Sequence, residues 1–210
     1  MSFFEPPPPR PEPAREPEPV RPPWFGPPET VLGVAVPIHR ILARTDAVVI
    51  ALVGLVAYPT GCTFNLDLAA RRTGQNMAEW EDLGAAFFGE HRRGRRVLAA
   101  GELPHDLLRC GVQLADGSKA TNVGRPPFWD PAVEPSSPLL FESGGGGGSG
   151  GQNLLTSNRR FWLWPLPSPE PFEFVIEWPL LGIPVTRTKI DGAAVVAAAA
   201  RAEPFWPEGG

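Results

Sequence analysis

The segment 47–58, AVVIALVGLVAY, is almost continuously apolar over twelve residues. Its Val and Ile content and its flanking turn residues predict a buried strand rather than a helix. Before it, 31–43 is also rich in Val, Ile and Leu, and Thr45 and Asp46 separate the two stretches. Tyr58-Pro59-Thr60-Gly61 reads as a turn, with Pro early and Gly late. Strict alternation follows. Cys62, Phe64, Leu66 and Leu68 point one way, and Thr63, Asn65 and Asp67 the other, until Arg71 and Arg72 end the strand in solvent.

The pattern then breaks. Trp80, Leu83, Phe87 and Phe88 have roughly helical spacing, but Gly84 and Gly89 weaken a helix there. The region 72–101 is expected to be a mobile insertion holding at most one short helix. Alternation resumes with Leu108, Cys110, Val112 and Leu114 against Arg109, Gly111 and Gln113, and Asp116-Gly117 is a strong hairpin signal. Residues 119–123 are the returning strand, 124–136 a Pro-rich loop and 138–142 a short strand. The Gly-rich stretch 143–152 reads as a flexible loop. Strands are predicted at 161–166, 172–178 and 185–190. Asp191 can cap a helix at 193–202, which Pro204 stops. About nine strands and one terminal helix make the chain all-β. The expected architecture is a two-sheet antiparallel β-sandwich, immunoglobulin-like or related, with one short C-terminal helix.

Composition changes that picture only at the edges. Of the 210 residues 28 are Pro and 23 Gly, which would suggest low complexity if they were spread evenly. Twelve of the Pro lie in 1–28, an expected disordered tail; the domain is then 29–210. A net charge of −4 argues against a globally basic nucleic-acid binder. No apolar run reaches the ~18 residues of a spanning helix. The first residues lack the pattern of a secretory signal, so a cytoplasmic location is expected.

PPWFGPPETVL at 22–32, ILARTDAVVIALVGLVAYPTG at 41–61, GVQLADGSKATN at 111–122, FWLWPLP at 161–167 and FEFVIEWPLLGIPVT at 172–186 together resemble a group of uncharacterised actinobacterial proteins. The resemblance implies a shared fold and lineage. It implies no activity, so it assigns no catalytic residue.

Candidate chemistry is sparse. His39, His91 and His105 lack zinc-ligand spacing, and no metal is expected. Cys62 and Cys110 fall on core faces and are expected to be reduced thiols, with a bridge across two strands as the alternative. Glu173 and Glu177 share a strand face roughly 13 Å apart, too far for a glycosidase pair. The Gly tract is not followed by a helix, so no nucleotide or other cofactor is expected. Two features remain. Arg92, Arg93, Arg95 and Arg96 form a basic cluster that suits phosphate, RNA or an acidic partner surface, or else a solvated loop balanced by Glu79, Glu81, Asp82 and Glu90. Trp162, Trp164 and Trp178 would make a ligand face if exposed, or would pack beneath the C-terminal helix or the Pro-rich tail. The leading expectation is a non-enzymatic module that contacts another protein. The alternative is a carbohydrate- or small-ligand-binding domain using the Trp face. A hydrolase built from Asp67, Asp116 and Glu177 comes last.

Overall fold

In a computed structural model, described over residues 21–89, 103–123 and 133–206, the chain is mostly β with two helices. The strands are β1 (Val31–Leu32), β2 (Val34–Val36), β3 (Arg40–Arg44), β4 (Val48–Tyr58), β5 (Gly61–Arg71), β6 (Arg109–Gln113), β7 (Lys119–Thr121), β8 (Leu139–Gly150), β9 (Leu154–Trp164), β10 (Phe172–Trp178), β11 (Ile183–Ile190) and β12 (Glu203–Pro204). The helices are α1 (Met77–Phe87) and α2 (Gly192–Ala199). The larger sheet has the order β2-β4-β5-β9-β8, with β3 beside β2 on the free edge of β4. The smaller sheet has the order β11-β10-β6-β7, and β1 pairs with β12 as a separate ribbon. Every pairing is antiparallel.

The apolar run of β4 is continuous for a specific reason. Its register against β5 slips by one residue between Leu52 and Gly54. This bulge switches which parity faces inward. Val48, Ile50 and Leu52 are buried before it, Leu55 and Ala57 after it. They oppose Ala70, Leu68, Leu66, Phe64 and Cys62 of β5, all buried. The inner faces of the two sheets meet through rings. Phe64 stacks on Phe174 at 4.6 Å between centroids and meets Phe172 edge-on at 6.3 Å. Asp191 caps α2 by accepting from the Ala193 and Ala194 backbone N–H groups. Val195, Ala198 and Ala199 then join the core, with α2 lying against β4 and β2.

Of the expected insertion 72–101, residues 72–89 are described, and they hold the one short helix allowed for: Asn76 and Glu79 form a reciprocal capping box that starts α1. Trp80 and Phe87 are buried, Phe87 stacks on Trp178 at 5.9 Å, and the Trp80 indole Nε1 donates to Gly151 O at 2.8 Å. The expected Gly-rich loop at 143–152 needs correction: β8 runs through it to Gly150 and pairs with β9 on both sides of a register shift between Gly145 and Gly148. A side chain would obstruct this packing. A Cβ on Gly148 would lie 2.7 Å from the Phe88 ring and 2.8 Å from Thr156 O, so the tract is where the residue after α1 packs against the sheet edge.

Candidate functional site

The expected Trp face is not a face. Trp178 lies on the inner side of β10 beside Phe87, its Nε1 donating to Asp106 O at 3.1 Å. Trp162 and Trp164 do point to the outer side of the larger sheet, but they are 0% and 7% exposed. Tyr58 meets Trp162 edge-on at 5.8 Å, and Trp24, in the 3-10 turn Pro23–Phe25, meets Trp164 edge-on at 5.7 Å. These rings seal one end of the outer face. None is available as an open ligand platform. Arg92, Arg93, Arg95 and Arg96 lie outside the described residues.

The three dispersed acids do not converge. Asp67 points outward from the larger sheet, Glu177 outward from the smaller sheet, and Asp116 sits in the β6–β7 turn. Glu177 pairs with Arg109 at 2.5 Å, and Glu173 with Arg187 at 2.6 Å. Both glutamates are thus committed to cross-strand arginines. Cys62 and Cys110 are both buried and not joined in a disulfide, and burial pushes the Cys62 thiol well above its ordinary range. Among the described residues no group of three or more His, Cys, Asp or Glu is placed to hold a metal ion.

The open end of the same outer face carries a hollow of about 480 Å³. That volume is within the range of small-ligand pockets. Small side chains make its floor: Val49 and Ala51 from β4 and Ala69 from β5. Thr156 and Asn158 from β9 and Gly147 to Ser149 from β8 complete it. Register places Asp67 directly opposite Asn158 and next to Ala51. Asp67 and Asn158 are both exposed. Neither side chain makes a hydrogen bond or ion pair among the described residues. The neighbouring row differs, since Arg160 Nε donates to Asn65 Oδ1 at 3.3 Å. The hollow therefore presents an uncommitted carboxylate, an amide and two hydroxyls over an apolar floor. Among the described residues, all its polar side chains can accept hydrogen bonds and no cationic side chain lines it.

A smaller hollow of about 210 Å³ lies on the outer face of the smaller sheet, where Gly111 leaves a gap beside Val175. Its arginines are held by Glu173 and Glu177. Asp67 lies in a strand that alternation already revealed. Thr156 and Asn158 were missed because β9 begins at Leu154, ahead of the large side chains that announced it.

Comparison with family models, with curated proteins and with solved structures gives no match in any of the three.

Proposed function

We propose that the chain is a non-enzymatic two-sheet β-sandwich module that binds a partner polypeptide, and that the hollow over Asp67 takes a basic side chain of that partner. The observation that carries this reading is the uncommitted Asp67–Asn158 pair facing the hollow. A guanidinium offers five donors, and an Asp carboxylate with amide and hydroxyl acceptors can receive them. The methylene stem would lie over Val49, Ala51 and Ala69. The separation of Asp67, Asp116 and Glu177 supports a contact role over hydrolysis. Burial of Trp162, Trp164 and Trp178 supports a polypeptide over a stacked sugar. A cytoplasmic setting belongs to the same proposal.

Selection of displayed random peptides on the immobilised full chain tests the reading. Bound peptides are expected to carry Arg or Lys. Asp67→Asn should weaken them about tenfold, equivalent to ~1.4 kcal/mol. Ala69→Phe, which fills the hollow and leaves the charge in place, should remove binding. Peptides that bind both variants as well as the parent chain would sink the proposal.

A further inference from the structure

The β1–β12 ribbon and the two residues that follow it carry three exposed large apolar side chains, among them the most exposed one of the described residues. Trp206 is 71% exposed, Leu32 57% and Phe205 52%. They are contiguous. Leu32 pairs with Glu203, and the ribbon continues as Phe205 N donates to Thr30 O at 2.8 Å. Alternation along β12 puts Phe205 on the same side of the ribbon as Glu203, and so diagonal to Leu32. Trp206 then meets Phe205 edge-on, with centroids 6.0 Å apart and planes at 67°. Two aromatic planes set at an angle, with an aliphatic neighbour, form an open apolar corner. Exposed patches of this kind mark contact sites.

The chain supplies a matching segment at the right place. Residues 11–19 read PEPAREPEP and lie outside the described residues. Polyproline segments dock between aromatic rings at low entropic cost. Their point of attachment is fixed beside the ribbon. Arg21 donates to Phe25 O at 2.9 Å and pairs with Glu29 at 2.5 Å, and Glu29 directly precedes Thr30, the residue that accepts from Phe205. Trp24, packed on Trp164, holds the same turn to the larger sheet. Residues 11–19 therefore begin two residues from this anchor. At ~3.1 Å per residue, a polyproline chain of that length would reach at most roughly 31 Å from the anchor. Tethering at that range supplies an effective concentration of order millimolar.

The geometry points to the Leu32–Phe205–Trp206 corner as a docking site for residues 11–19 of the same chain. The inference does not rest on the hollow over Asp67. A nitroxide on the full-length Ala14→Cys variant tests it, because Cys62 and Cys110 are buried and remain unlabelled. The readout is the Trp206 indole N–H signal in ¹⁵N-labelled protein, identified by its absence in Trp206→Phe. That signal is expected to lose most of its intensity. It should recover when Pro11, Pro13, Pro17 and Pro19 are all changed to Ser, and also in Phe205→Ser. An unbroadened signal overturns the inference. So does broadening that survives the four-Ser tail, since the tether alone would then explain it. Broadening of unlabelled-tail ¹⁵N protein by added spin-labelled ¹⁴N protein assigns the corner to a second copy and likewise overturns it.

Discussion

Gly148 and Gly144 stand four residues apart in one tract, yet their substitution by Ala should act in opposite directions. At Gly148 the added Cβ would lie 2.7 Å from Phe88 Cε1 and 2.8 Å from Thr156 O. The Phe88 ring is half-exposed and can swing aside. Thr156 O belongs to the β9 backbone and cannot move without disturbing the ladder. Overpacking of this kind costs about 1–3 kcal/mol. At Gly144 a Cβ would meet nothing within 4 Å. Replacing Gly by Ala without strain restricts the unfolded chain and stabilises by about 0.4–1 kcal/mol. The two variants should therefore differ by about 1.4–4 kcal/mol, and by at least ~2 kcal/mol if Thr156 O cannot give way. With a slope near ~2 kcal/mol per molar urea, their unfolding midpoints should then lie at least about 1 M apart. Tryptophan fluorescence gives the assay. Adding Phe88→Ala to Gly148→Ala should recover part of the loss, because the Thr156 contact remains. Equal midpoints for Gly144→Ala and Gly148→Ala would refute the packing argument and return the tract to a linker.

Three further outcomes follow from the interior and the turns. Cys62 and Cys110 are 0% and 2% exposed; neither should react with a thiol reagent at neutral pH until the chain unfolds, so labelling rates should track the unfolding rate. Asn122 accepts from Cys110 N at 2.8 Å and donates to Leu108 O at 2.9 Å while 7% exposed; Asn122→Ala removes both of these buried hydrogen bonds and should lower stability by about 2 kcal/mol in the same urea assay. The Ser118 hydroxyl and backbone N–H both donate to Asp116 and hold its carboxyl below the usual range. Its folded value is thus below its unfolded value, and its contribution is present above the unfolded value and lost as pH falls through the folded one. Ser118→Ala should move the Asp116 titration upward by carboxyl NMR, and an unmoved midpoint would discount the hydroxyl.

Strands with one buried face were legible. The alternation from Cys62 to Leu68 and from Phe172 to Trp178 appears in the structure with the same inward residues. The β4 bulge was not, because both parities of an all-apolar run look alike. The capping box at Asn76 and Glu79 was visible as a polar residue three positions before a Glu and then Trp80. Counting glycines hid it, since Gly84 costs helix propensity but leaves room beside Leu155. In the tract around Gly147, composition correctly reports the absence of side chains and says nothing about whether a partner strand is available. The β9 ladder supplies that partner, and it is a tertiary fact.

The alternation along β9 sets where the hollow lies. From Leu154 to Arg160, β9 alternates: Leu155, Ser157 and Arg159 are buried, while Leu154, Asn158 and Arg160 are exposed and Thr156 is partly so. From Phe161 to Trp164 alternation stops and four successive large residues are all buried. A strand segment with no polar parity is covered on both faces. The sequence TSNRR-FWLW thus marks, within one strand, the line where the outer face passes from open to sealed. Trp162 and Trp164 belong to the sealed side, together with Tyr58 and Trp24. A run of aromatics in both parities should accordingly be read as a lid-covered end of a sheet, and a binding surface sought on the polar side of the boundary. On that side, opposite Asn158, is Asp67.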